Sequence, residues 1–356
     1  MRRLNAVAAR KFAFDVFRRH GLSEEHAGWV ADALVDTSLM GIDTHGLRLM
    51  PLYVRELVEG RSKTQPFFSI TFPRDALARM DAGDALGIVA GRRAAVIAVE
   101  LARACGIGIV SVCNSNHFGA ASIYGRAIAR SGMIGIVMTS AAARTAPFNG
   151  AAPVFGTNPI CFVAPADADD YFSLDMATSQ ISYSRIKALK SAGLPIPTTW
   201  AVDRSGAFAE CAERVSALAP LGGYKGQGLA MMVEVLCGIL GDMPMDHELE
   251  HFDTGPFDRG RRIAHFLLAI DIGCCVDLVR FRKRLTALVS AVRSVSAKPH
   301  QKILVPGDPE RVAWLERSRL GIPVTEDEYA ALTALAEGLD VRMDGLFHGI
   351  SAAAAV

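Results

Sequence analysis

No stretch of this 356-residue chain stays apolar for the roughly 20 residues that a bilayer-crossing helix needs. Glu100, Glu234 and Asp271 interrupt the best runs, so no membrane span is expected. Arg2 and Arg3 could open a secretory leader, but Arg10, Lys11 and Asp15 break the apolar segment that must follow. Cysteine is sparse and odd in number: seven residues, at 105, 113, 161, 211, 237, 274 and 275, most of them inside apolar runs and none in a C-x-x-C pair. That argues against a disulfide framework or a zinc ribbon and points to a reducing cytoplasm. Net charge is also missing. Lys and Arg number 38 against 37 Asp and Glu, so no overall field recruits nucleic acid or an anionic membrane. Local basic clusters at 259–262 and 280–284 read as solvated helix faces. Finally, no G-x-G-x-x-G follows a strand, and the glycines around Lys225 lack Walker spacing and a following Ser or Thr. A standard Rossmann or P-loop site is thereby excluded.

What remains is the composition of a globular enzyme, 51% hydrophobic and 21% charged, in a chain long enough for a large core. The first sixty residues have helical spacing: Phe12, Phe14 and Phe17 share a face, Gly21 stops that helix, and Ser23 starts another. A third helix is expected over 47–59, beginning beside His45. Strand and helix periods then alternate from Phe68 to Ile272, with strands at 107–113, 134–139, 159–164, 172–174 and 263–272 and a long helix at 224–240. The last third returns to helices at 276–296, after Asp308-Pro309, and after a capping box at Thr325 to Glu328. The expected fold class is α/β, with a central mixed sheet of non-Rossmann type. Residues 1–73 and 290–356 are expected to form a helical lobe, and 74–289 an α/β cofactor-binding domain.

The segment GIDTHGLR, residues 41–48, carries the most chemistry. It sets His45 three residues before Arg48, so that on one helix face a proton-transfer group and a carboxylate-binding fork converge on a small acid. The helix start and the neighbouring cation should both lower the His45 pKa. A second histidine, His117 in NSNHFG, follows a strand and precedes a helix, where α/β sheets present ligand-binding groups. Thr157 and Asn158 in GTNPI offer donors and acceptors before another strand. Asp175 in DMATS reads equally well as a ribose acceptor and as a helix cap. GGYKGQG places Lys225 at a helix start, a plausible anion site. His247-Glu248-Leu249-Glu250-His251 satisfies H-E-x-x-H, but flanking prolines and weak apolar periodicity argue against a zinc-binding helix, and no metal is expected.

Taken in order, GIDTHGLR, NSNHFG, GTNPI, DMATS, IPTTWAVDRSG and GGYKGQG resemble the malate/L-lactate dehydrogenase family that lacks a Rossmann fold. The resemblance implies NAD- or NADP-dependent hydride transfer to a small 2-oxo or 2-hydroxy acid, or to a cyclic imino acid, in a homodimer with no nucleic-acid or membrane partner. It implies His45 as proton donor, with His117 as a rival acid/base, and Thr44 and Arg48 beside them at the substrate. It also implies cofactor contacts at Asp175, Met176, Ala177, Arg185 and Lys225, and at a late loop, Pro306, Gly307 and Asp308. Ser140 opens a loop that family members often fill with Asn, Ser or Thr; here Ala141 follows, and Arg144 offers a different contact. A ribose phosphate would seek Arg144, Arg185 or Lys187, which leaves NAD against NADP open. Besides the ketimine reductase, the competing readings are a zinc hydrolase on His247 and His251 and a non-catalytic small-molecule binder.

Overall fold

The computed structural model describes residues 2–167, 170–339, 341, 343 and 345–347. In chain order its elements are β1 (Arg2–Leu4), α1 (Ala6–Arg19), α2 (Glu24–Leu39), α3 (Met50–Val58), β2 (Ser69–Arg74), β3 (Leu77–Asp81), α4 (Gly87–Cys105), β4 (Ile107–Ser115), α5 (Ser122–Arg130) and β5 (Met133–Thr139). There follow β6 (Ile160–Pro165), β7 (Tyr171–Met176), α6 (Tyr183–Ser191), β8 (Ala201–Val202), β9 (Ala217–Leu218), α7 (Tyr224–Glu234), β10 (Ile263–Asp271), α8 (Leu278–Arg293), α9 (Asp308–Leu320), β11 (Ile322–Val324) and α10 (Glu326–Leu339). Local chemistry sets the helix starts. Asn5 and Ser23 side chains accept the amides of Ala8 and His26, and Thr325 and Glu328 cap α10 reciprocally at 3.2 and 2.9 Å.

Seven strands form one sheet in the order β2-β3-β4-β10-β5-β6-β7, antiparallel throughout except for the parallel pair β3 and β4. The chain's alternation of strand and helix therefore does not make β4 and β5 neighbours. Both run the same way, but β10 lies between them, its Leu267 opposite Val110 on one side and Val137 on the other. That position explains the unbroken apolar run of β10: Leu267 and Ala269 enter the main core, while Ala264 and Phe266 pack on the opposite face against Val233 and Cys237.

One contiguous core joins the terminal helices to the sheet, from Phe12, Phe17 and Val30 through Val89 and Tyr124 to Val110 and Leu267. β1 pairs antiparallel with β11, Leu4 opposite Ile322, and this ties the two ends of the chain together. No described helix is long and apolar enough to cross a membrane. The strand directions bring the ends of β4, β5 and β7 and the starts of β6 and β10 to one end of the sheet. Every loop that matters for the site leaves from that end.

Candidate active site

A cavity of about 430 Å3 opens at this end, lined by both candidate histidines. The segment bearing His45 is not the continuous helix expected over 47–59. Asp43–His45 and Leu47–Leu49 are separate 3-10 turns, and the α-helix begins only at Met50. The break falls at Gly46, which packs so tightly on α2 that a β-carbon there would lie 2.1 Å from Ser38 Oγ. Ser38 Oγ in turn accepts the Leu47 amide at 2.9 Å. The preceding turn is braced from α9, where Arg317 donates to Asp43 at 3.0 Å and to the Ser38 carbonyl at 2.7 Å.

This break separates the two side chains that the sequence places together. His45 faces the cavity, whereas Arg48, nearly half exposed, reaches toward Glu328 at 3.9 Å in a different small cleft. The convergence of imidazole and guanidinium one turn apart is therefore corrected: they leave the chain in different directions.

His117 stands on the loop after β4, and the loop is fixed from below by Asn116. Its side-chain amide donates to the carbonyls of Arg61, Asp84 and Ala85, and its oxygen accepts the Arg261 amide at 3.0 Å. The His117 ring stacks between His45, with centroids 5.6 Å apart and planes 23° apart, and Phe252, at 4.9 Å and 12°. Each imidazole is held through Nδ1: His45 against Thr44 Oγ1 and His117 against the buried Tyr53 hydroxyl, both at 2.8 Å. Among the described residues, Nε2 of each ring has no protein partner.

Burial pushes the His45 pKa down to about 4, with the charge of Arg48 second. The sign matches the sequence expectation, but desolvation dominates. His117 is driven well below its ordinary value, again chiefly by burial and then by His45 and Arg261. A third histidine, His265 in β10, is spoken for: its nitrogens meet Thr139 Oγ1 at 2.8 Å and Ser115 Oγ at 2.7 Å inside the core.

Of the other residues singled out from the sequence, Thr44, Ser140, Thr157, Asp175 and Ala177 line the cavity. Asp175 starts no helix of its own; the next one, α6, is capped by Ser182. Asp175 lines the cavity and also accepts the Ser122 amide at 2.8 Å, capping α5 from the neighbouring strand. Asn158 lies beneath the surface, donating to Asp246 at 2.7 Å and to the Ala230 carbonyl at 3.1 Å. Met176, Arg185 and Lys225 do not line the cavity, and the last two are exposed. Pro306 and Gly307 pack along β7, the Pro306 carbonyl accepting the Ser173 amide at 3.2 Å, while Asp308 accepts from Arg293 and, at 2.9 Å, from the Val305 amide; none of the three lines the cavity. From this loop α9 carries Glu310 into the cavity.

Several lining or supporting residues carry no recognisable motif. Tyr53 counts in sequence only as an apolar position of a helix. Asp246, wholly buried, accepts amides from Ala141 at 3.2 Å and Gly156 at 2.8 Å as well as Asn158, and so pins both loops on that side of the cavity. Arg261 belongs to the 259–262 cluster expected on a solvated helix face. No helix forms there, and Arg261 is only 8% exposed and lines the cavity. The H-E-x-x-H match also lacks its helix: Asp246–Glu248 is a single 3-10 turn and Leu249 is extended, so His247 is exposed while His251 faces the cavity.

The cavity's charges fit a nicotinamide dinucleotide. Arg144 lies 4.1 Å over the Tyr183 ring and shares Asp253 with Lys187, at 3.5 and 3.0 Å, which gathers cations and a ring face for phosphate and base. Asp175 and Glu310 add carboxylates to the cavity wall. Two stacked, buried imidazoles thus stand over a cavity at one end of a mixed α/β sheet.

The comparisons with known proteins agree. Residues 4–333 match the malate/L-lactate dehydrogenase family, and the chain belongs to it. It is 33% identical to a malate dehydrogenase of Pyrococcus horikoshii over 342 residues, covering 93% of this chain and 94% of that protein. It is 30% identical to the ureidoglycolate dehydrogenase (NAD(+)) of Escherichia coli K12, covering 88% and 89%. The sulfolactate dehydrogenase structure from Methanocaldococcus jannaschii superposes with a TM-score of 0.90 at 28% identity, over 97% of this chain and 99% of that one. The protein is accordingly an oxidoreductase of the dehydrogenase/reductase class.

Proposed function

We propose that this enzyme transfers hydride between NAD or NADP and C2 of a small 2-oxo or 2-hydroxy acid, with the His45 and His117 pair moving the proton. The observation that carries this reading is the stacked pair itself: two rings fixed at Nδ1, uncharged, with Nε2 left for a ligand. The bound nicotinamide supplies or accepts the hydride at carbon. Arg144, Lys187, Asp175 and Glu310 are the residues that would hold the dinucleotide, and Thr157 and Ser140 lie beside them.

In the oxidation direction, a neutral imidazole takes the hydroxyl proton as C2 gives up hydride, so the two hydrogens leave to different acceptors. His45 is the first choice for this role because its turn is braced by α2 and α9, and the stacked His117 orients or replaces it. For reduction, the arriving carboxylate raises the pKa of the ring it approaches, so that the imidazole takes a proton from solvent and passes it to the carbonyl oxygen. The free cysteines fit a cytoplasmic protein, and the exposed apolar side chains of α7, among them Met231 and Met232, fit a homodimer.

Nicotinamide absorbance tests the reading. NADH and NADPH are each offered with pyruvate, oxaloacetate, sulfopyruvate, oxalurate and the two cyclic imino acids. The expected result is turnover of at least one 2-oxo acid; turnover of the imino acids alone would replace the substrate class, and no oxidation of either cofactor would sink the reading.

A further inference from the structure

With Arg48 turned away, the site needs another cation for its acid, and Arg261 has the required placement. Its backbone is held in a strained turn just ahead of β10. Gly260 presses against Asp84 so closely that a β-carbon would lie 1.9 Å from Asp84 Oδ1, and Arg262 takes a positive φ of 58°. Asn116, next to His117, accepts the Arg261 amide at 3.0 Å and thereby sets the two functional residues side by side. Arg261 then lines the cavity, its charge close enough to lower the His117 pKa.

This buried cation has no ion-pair partner among the described residues. Nε and Nη2 both donate to the Glu250 carbonyl, at 3.2 and 2.6 Å, and Nη1 has no protein acceptor. The nearest carboxylates lie beyond ion-pair distance and each bonds another cation: Glu56, whose charge acts most on Arg261, with Arg61 at 3.3 Å, Asp253 with Lys187 and Arg144, and Glu250 with Arg259 at 2.9 Å. Proteins rarely leave a guanidinium buried without a counter-ion, because the desolvation cost is recovered only by pairing.

We propose that Arg261 receives the carboxylate of the substrate, completing its ion pair and setting the C2 oxygen against the histidines. The inference rests on the 2-oxo acid reading above and names the anchor of that same site. An anionic phosphate of the cofactor has the same basic chemistry, but the nearness of His117 favours the small acid over the dinucleotide.

The test is titration of the holoenzyme with oxamate, an unreactive 2-oxo acid analogue, beside NADH affinity and KM for the best 2-oxo acid. R261Q should weaken oxamate and raise KM by ~10–100-fold, as expected on losing a hydrogen-bonded ionic contact, with NADH affinity unchanged. R261K, which keeps the charge and the fold but not the planar fork, should fall between wild type and R261Q. R48Q should bind oxamate as wild type does. Wild-type oxamate affinity in R261Q or R261K would overturn the proposal, as would a loss confined to NADH, which would assign Arg261 to the cofactor phosphate. Oxamate binding that depends on Arg261 in an enzyme inert toward every 2-oxo acid would keep the anchor and refute the reaction.

Discussion

His117 is gripped by a tyrosine at one ring nitrogen and by aromatic faces on both sides, and His45 by the threonine that precedes it. Burial holds both rings uncharged in the free enzyme, which has a kinetic signature. The ratio kcat/KM reports the ionisation of the free enzyme, and oxidation needs a neutral base. For hydroxy acid oxidation it should stay flat from pH 8 down through the usual histidine range and fall only as pH approaches about 4, where His45 takes up its proton. A descending limb centred near pH 6.5 would place an exposed histidine in the role instead. At this scale the sequence showed both histidines, because each sits in a short polar motif between regular elements. It hid Arg261 for the opposite reason. Three arginines in four residues look like solvated charge, and only the strand that follows decides that one of them turns inward.

Among elements, the join between α2 and the His45 turn controls the site. Periodicity over 47–59 made a single helix from His45 onward, since Leu49, Leu52, Tyr53 and Leu57 keep helical spacing. What periodicity could not register was a tertiary contact, the approach of Gly46 to Ser38, which interrupts the backbone and sends Arg48 away from His45. Gly46→Ala should therefore overpack this join, costing roughly 1–3 kcal/mol of stability and lowering kcat more than it weakens cofactor binding. Thermal denaturation and steady-state kinetics check both halves. A variant with wild-type melting and turnover would show that the contact is slack. Strand β3 was hidden too, because Leu77-Ala78-Arg79-Met80 has weak strand propensity and owes its form to pairing with β2 and β4.

For the whole molecule, the site depends on ligands to its shape from distant parts of the chain. The helical N-terminal segment supplies His45 and Tyr53, the sheet loops supply His117 and Arg261, β7 supplies Asp175, and α9 supplies Glu310 and the brace on Asp43. Such an assembly fits a formal charge of +1 overall alongside a cavity with its own unpaired cation. The α/β class and five of the seven strands of the main sheet followed from hydrophobic period. The order of strands did not, because the insertion of β10 between β4 and β5 joins residues more than a hundred positions apart.

The most direct measurement compares single-turnover nicotinamide oxidation in wild type, H45A and H117A, each first shown to bind NADH or NADPH normally. The account predicts that H45A, the favoured acid/base, slows hydride transfer by ~100-fold or more, the usual size of lost general acid–base catalysis, with H117A also impaired. Wild-type rates in both variants would contradict it.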